Sequence, residues 1–323
     1  MTEIIKFDSL DEIPGAQRRM DTAETVFIDT QLRQLDARIF EQKFEPLDGD
    51  KICPIAGGLE ENADFYTYRL RRHSGKAKYI QDAPTDVSTV NQAIEKQSVR
   101  IVRGAVGYRI SERDVARART EGIPLEAGND IACIRALNEL RNDAILFGAP
   151  SVGLNGFFGN SLTPVSKAAT AINPASSADN DLLVLNDWVN KIAERTNGVE
   201  MPNRFVLPLS IYNVLASKAR SSVSDTTVLA YWAENNPYVR MAGGMAAIDL
   251  APNLDGEIMG AAQGAVGVAL NFDERNVGQR VIPPRRFKVV PRLFDFLVVY
   301  LIDFTDVYYR YPKGVHILTN MGG

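Results

Sequence analysis

The chain has 323 residues, of which 45% are hydrophobic and 24% charged, with a formal net charge of -4. That length and apolar content allow a substantial core divided into two or three domains, and the charge supplies no chain-wide basic field for wrapping nucleic acid. Cys53 and Cys133 lie far apart and are accompanied only by His73 and His316, a set that suits reduced thiols and fits neither a disulfide framework nor a zinc site.

The first ten residues, MTEIIKFDSL, hold no basic region followed by an apolar run, which argues against a secretory signal. Residues 1–62 carry little periodicity apart from a modest helical stretch over 22–40, and they read as an extended arm. An arm has no core of its own, so its apolar residues, among them Ile4, Ile5, Phe7, Val26, Phe27 and Phe44, predict that it lies on another surface.

From Phe65 the pattern becomes FYTYRLRRHSGKAKYI, an alternation broken at Ser74-Gly75 that signals a hairpin. A period of two puts Tyr66, Tyr68 and Leu70 on one face and Thr67, Arg69 and Arg71 on the other. After the polar turn QDAPTDVST, the run QSVRIVRGAVGYRIS reads as strand again. Residues 63–103 form a two-stranded excursion with few large apolar residues, and an isolated hairpin is marginal in water. It is expected to pack on a neighbour. The basic residues Arg69, Arg71, Arg72, Lys76 and Lys78 interleave with Tyr66, Tyr68 and Tyr79. Such a set can hold single-stranded nucleic acid by stacking and phosphate contact, or cross an acidic patch of another subunit. The net acidity of the chain favours the second.

Ser111 followed by Asp114 resembles a capping box, and Gly122 and Pro124 interrupt the helix that it opens. The spacing of Ile131, Ile134, Leu137, Leu140, Ala144 and Phe147 predicts a second helix over 125–147, roughly 30 Å long at about 1.5 Å per residue. The sequence ILFGAPSVGLNGFFGN then leaves it. Beyond a polar loop, DLLVLNDWVNKIAERTNG predicts an amphipathic helix stopped by Asn-Gly. PNRFVLPLSIYNVLASKA predicts a buried strand and a helix, and the α/β alternation continues to about Phe272. The tail from Arg285 is strand after strand, rich in β-branched and aromatic residues. Its most apolar run, 293–304, contains Asp295 and Asp303 and is shorter than the roughly 20 residues a membrane span takes.

The chemistry-bearing motifs are absent. The glycine corner lacks the Lys and the element order of a P-loop, and neither GGLEENADF nor GAAQGAVG has the strand, turn, helix and acidic partner of a dinucleotide site. No G-x-S-x-G elbow occurs, and the Glu60-Glu61 and Asp273-Glu274 pairs sit in polar turns. No catalytic, cofactor-binding or metal-binding residue is therefore assigned.

The order of elements is more specific than any one of them: apolar arm, long hairpin, spine helix, the corner FGAPSVGLNGFFG, an α/β domain, closing strands. It resembles the major capsid proteins of tailed bacteriophages, whose Hong Kong 97-type fold is shared by encapsulins. A family sequence resembling G-x-x-x-x-G-L-x-G after the spine helix is matched by Gly148, Gly153, Leu154 and Gly156. The segments ADFYTYRLRRHSGKAKYIQDAPTDV and PNRFVLPLSIYNVLA resemble the family's extended hairpin and central strand-helix unit.

The resemblance implies an α+β fold with an arm over 1–62, an extended loop over 63–103, a peripheral domain over 104–180 and 285–323, and an axial α/β domain over 181–284. The glycines would turn the chain out of the spine helix, while Phe157 and Phe158 anchor it. Tyr66, Tyr68, Arg69, Arg71, Arg72, Lys76 and Lys78 would contact a neighbouring subunit. The implied function is structural: hexamers and pentamers of an icosahedral head enclosing double-stranded DNA, contacted non-specifically, in a virion assembled in the host bacterial cytoplasm. The implied partners are other copies, a separate scaffold, a portal and decoration proteins, with no membrane. The alternative within the fold is an encapsulin-like shell around a cargo enzyme, and outside it a soluble α/β hydrolase, which the shortage of histidine disfavours.

Overall fold

In the computed structural model, residues 45–79, 88–115, 125–242, 244–259, 263–292 and 295–322 are described. Residues 1–44 of the arm expected over 1–62, with its helical stretch, and the turn at 80–87 lie outside them. The described residues form a seven-stranded sheet, a five-stranded sheet and a two-stranded ribbon.

The chain enters the body earlier than the sequence reading places it. A one-turn helix α1 (Gly49–Ile52) and a short strand β1 (Ile55–Ala56) follow Pro46, and Ile52 and Cys53 are fully buried. Residues expected in the arm are thus part of the core. They are held by polar contacts that hydrophobic periodicity does not register: Gly49 N–H donates to Asn142 Oδ1 at 2.8 Å, and Arg141 Nη2 donates to Asp50 Oδ1 at 2.7 Å.

Next come β2 (Phe65–Ser74) and β3 (Asn91–Ser111), paired antiparallel from Phe65↔Arg100 to Ser74↔Asn91. β3 starts six residues before the expected QSVRIV run and continues without a break past Arg103, where the extended loop was expected to end. The partner changes there instead. Residues 101–111 pair with β12 (Asp295–Thr305). Ser111 caps the next turn as its sequence suggests, its Oγ accepting from the Asp114 N–H at 3.2 Å.

The long helix α2 (Leu125–Leu146) covers this sheet. Cys133, Leu137 and Ala144 pack on Val298, Tyr300, Ile302 and Phe304. Ile131, Ile134 and Leu140 remain exposed, so the buried stripe is rotated from the purely apolar one. Arg141 and Asn142 occupy inward positions because Asp50 and Gly49 satisfy them. The sheet is completed by β10 (Val277–Arg286), whose register slips between Ile282 and Arg285 at Pro283-Pro284, residues with no N–H to give the ladder. β11 (Val290–Pro291) and β13 (Tyr308–Tyr309) pair at its margins.

The second sheet runs β4 (Val165–Lys167), β14 (Val315–Thr319), β9 (Gly267–Leu270), β5 (Arg204–Leu207), β8 (Ala247–Leu250). The last strand of the chain, expected with the peripheral layer, therefore sits inside the sheet of the axial region. Its sequence gives no side-chain clue to this, because strands covered on both faces read as continuous apolar runs wherever they lie. Phe205, Leu207, Ala269 and Leu318 face one core, and Val206, Val268, Leu270 and Ile317 face another.

Helix α3 (Ala178–Thr196) covers the first of these faces. Ser177 Oγ accepts from Asn180 N–H at its start, and Asn197 in the left-handed region, φ 52°, ends it. Trp188, Phe205 and Trp232 stack edge to face, at 5.6 and 4.7 Å between centroids. The loop before α3 is fastened by Lys218, whose ammonium donates to Asn173 O at 2.7 Å, Ser176 O at 3.0 Å and the fully buried Asp181 at 2.5 Å. Removing one member of such a pair strands a buried charge. Lys218→Ala is expected to lower unfolding stability by about 3 kcal/mol, and Lys218→Met with Asp181→Asn to recover part of it, as read by chemical denaturation.

Candidate assembly surface

At the glycine corner the chain leaves α2 and immediately repairs its end. Phe147 N–H donates to Asp143 O, Ala149 and Leu154 exchange backbone bonds, and the N–H groups of Phe157 and Phe158 donate to Ile145 O and Leu146 O at 2.6 and 3.1 Å. These last two fill carbonyls that a helix C-terminus leaves open. The turn needs glycine. Gly148 and Gly156 have φ of 73° and 68°, and a Cβ on Gly156 would stand 2.3 Å from Gly148 N. Gly153 also takes a positive φ, 78°.

Leu154 enters the core under α2, Phe157 the core beneath the five-stranded sheet, and Phe158 packs edge-on against Phe157 at 5.4 Å. The corner thus pins two cores together. Its fastener is Asp306. The buried carboxylate accepts from Asn155 N–H at 2.9 Å, Gly156 N–H at 3.2 Å and Val307 N–H at 2.8 Å. Sequence reasoning missed this residue, although an acid inside the apolar run LIDFTDVYY is a signal for a buried carboxylate with backbone donors.

The hairpin has two unlike faces. Tyr66 and Tyr68 lie at its root on the body: their rings are each 5.6 Å from that of Tyr308, and Tyr68 OH lies 3.1 Å from Tyr309 O. Arg310 donates to Tyr66 OH at 3.1 Å, and Glu274 holds Arg280 at 2.6 Å beside the cluster. Burial, first, and the Glu274 charge push the Tyr308 hydroxyl well above the ordinary tyrosine range. Tyr66 and Tyr68, expected to meet a neighbour, are used within the chain. Arg69, Arg71, Arg72, Lys76 and Lys78 are exposed, and Arg72 pairs across the ribbon with Glu95 at 3.1 Å. Among the described residues of the hairpin, Arg100 on β3 comes near Gly153 of the corner.

His316 is the one histidine in a polar cluster. Arg195 Nη2 donates to its Nδ1 at 2.5 Å, which leaves the ring proton on Nε2 to donate to Ser166 Oγ at 2.8 Å. The imidazole faces the hydroxyl as a donor, the reverse of a base that would activate it. Burial, then the Arg195 and Lys191 charges, push its pKa down to about 3 from 6.5. Among the described residues no group of His, Cys, Asp or Glu could hold a metal ion, and no helix is long and apolar enough to cross a membrane.

The major capsid protein family matches the chain over residues 75–320. Three solved structures share its fold. The capsid of Myoviridae phage XM1 is 18% identical with a TM-score of 0.71, over 90% of this chain and 97% of that one. The capsid of an empty GTA particle is 13% identical with a TM-score of 0.60, over 93% and 97%. A chain of Mycobacterium phage Ogopogo is 13% identical with a TM-score of 0.57, over 90% and 98%. Comparison with curated proteins finds no match.

Two outcomes follow from the geometry. Gly156→Ala, which forces backbone apart, and Asp306→Ala, which orphans buried N–H groups, should each cost on the order of 3 kcal/mol in thermal or urea unfolding. A folded-state pKa below the unfolded one means that the unfolded chain takes up the proton first. The His316 contribution is therefore complete above pH 6.5 and lost as pH falls toward about 3. Between pH 7 and pH 4.5 the subunit should lose on the order of 2 kcal/mol more than His316→Gln does, measured by denaturation at each pH.

Proposed function

The chain belongs to the major capsid protein family, and from that premise we propose that it builds the icosahedral head of a tailed bacteriophage as hexamers and pentamers around double-stranded DNA. The observation that carries the finer reading is the hairpin. Ten residue pairs, Phe65↔Arg100 to Ser74↔Asn91, project with exposed side chains on both faces beyond Leu70. A two-stranded ribbon of that length is marginal alone and gains stability by lying on another copy, where apolar contact contributes about 25 cal/mol per Å².

The root tyrosines fix the direction in which the ribbon leaves the body, and Arg69, Arg71, Arg72, Lys76 and Lys78 are the groups left to meet the neighbour. The corner glycines, Asp306 and Phe157 keep the two cores in one rigid frame, as a shell subunit under internal pressure requires. The acidic net charge suits a container whose wall holds DNA only weakly, since phosphate affinity scales with the number of Lys and Arg contacts. A scaffold, a portal and decoration proteins complete the proposed assembly, which takes place in the host cytoplasm and ends in the virion.

Replacing residues 69–96 by a two-residue turn retains Tyr66, Tyr68 and Gln97 at the root. The shortened chain is expected to fold with the thermal stability of the full one and to form no closed shells by negative-stain electron microscopy. Intact shells of the shortened chain would overturn the role given to the hairpin, and particles that carry a protein cargo in place of DNA would overturn the genome-enclosing one.

A further inference from the structure

One edge of the five-stranded sheet is covered by a thin segment. β4 pairs with β14 alone, through Val165, Ser166 and Lys167. Of residues 161–170 only Thr163 is buried, and Leu162 and Val165 are 55% and 57% exposed. Little apolar burial therefore holds this segment to the body. Backbone bonds fasten it at two points, from Ile317 N–H to Pro164 O and from Ala168 N–H to Thr319 O, each 2.9 Å. Thr319 Oγ1 also donates to Ser166 O at 3.3 Å.

A side-chain latch lies between those points. Ser166 Oγ accepts from His316 Nε2–H at 2.8 Å and from Lys191 Nζ at 3.4 Å, and Arg195 holds the same imidazole through Nδ1. His316 is buried. The charged groups that face it come from α3: Arg195, Lys191 and Asp187, the last paired with Lys191 at 2.8 Å. β9, which pairs with β14 on its other side, contributes no charge, and the one charged residue over 160–172 is a further cation, Lys167. A proton on Nδ1 therefore turns the Arg195 contact into two N–H donors face to face. It also places three cations beside a single carboxylate.

We propose that residues 161–170 form a strap that acid releases: a proton taken up on His316 breaks the bond from Arg195, frees Ser166 and bares β14, while the sheet behind it stays folded. The device belongs to the single subunit and does not depend on assembly into a shell. Burial, first, and then Arg195 and Lys191 hold the imidazole of the closed strap at a pKa of about 3, against an ordinary 6.5. With the pKa depressed, the advantage of the closed form is complete above pH 6.5 and is lost progressively as pH falls toward about 3. In the upper part of that interval, near about pH 5, ordinary carboxylates are still ionised. The strap can thus open without the general loss of charge pairs that unfolds a protein in acid. Uncovered, β14 presents a row of unpaired backbone groups, an edge that accepts another strand.

Hydrogen exchange of the full-length chain, read by mass spectrometry and corrected for the intrinsic pH dependence of amide exchange, tests the strap. From pH 7 to pH 5, peptides covering residues 161–170 should exchange at least about tenfold faster, while those covering β5 and β9 stay unchanged. His316→Gln, which keeps a donor for Ser166 and takes up no proton, should abolish the rise. Arg195→Gln should cut it severalfold with His316 in place, because an amide can turn its oxygen to accept from the protonated ring and a guanidinium cannot. An undiminished rise in either folded variant, no rise in the unsubstituted chain, or a rise shared by β5 and β9 would overturn the strap. Should one variant fail to fold by circular dichroism, the other decides, and the comparison of segments in the unsubstituted chain needs neither.

Discussion

The continuity of β3 sets the terms for the rest of the molecule. Over residues 101–111 it pairs with β12 along its length and is covered by α2; over residues 91–100 it pairs with β2. One unbroken strand therefore joins a part of the chain that carries its own core to a part that does not. The root cluster of Tyr66, Tyr68, Tyr308, Arg280 and Arg310 stiffens the join, so the ribbon projects in a direction set by the body. Beyond it the side chains face solvent on both sides.

The body can bear such a projection because its cores are cross-braced. α2 contributes Leu137 to the core over the large sheet and Ile145 and Leu146 to the core beneath the small one, and the corner repeats the pattern with Leu154 and Phe157. Asp306, at the end of β12, ties the corner backbone to the closing strands. A displacement of the hairpin root is thereby passed to both sheets through short hydrogen bonds and packed side chains.

Much of this was legible in the sequence because it is local. The period-two alternation puts Tyr66, Tyr68 and Leu70 on one face of the hairpin, though not which surface that face meets, and the Asn197-Gly198 stop ends α3 where the sequence places it. The corner glycines announce positive φ angles. The missing parts are non-local. Arg141 and Asn142 turn inward on α2 only because residues 49 and 50 come back to meet them, and β14 enters the small sheet through backbone pairing that its apolar sequence VHILT does not distinguish. Asp306 is an acid whose partners are backbone N–H groups some 150 residues away, and no spacing rule connects them.

The charge pattern was only half legible for the same reason. The basic residues of the hairpin are contiguous in sequence and easily seen, but their sorting by face requires the register with β3. The most direct measurement is electron cryo-microscopy of the assembled particle at side-chain resolution. The account predicts continuous density for residues 65–100 lying on an adjacent subunit, with the root tyrosines still against their own body. A hairpin folded back on its own subunit, or projecting without a neighbour beneath it, would contradict it.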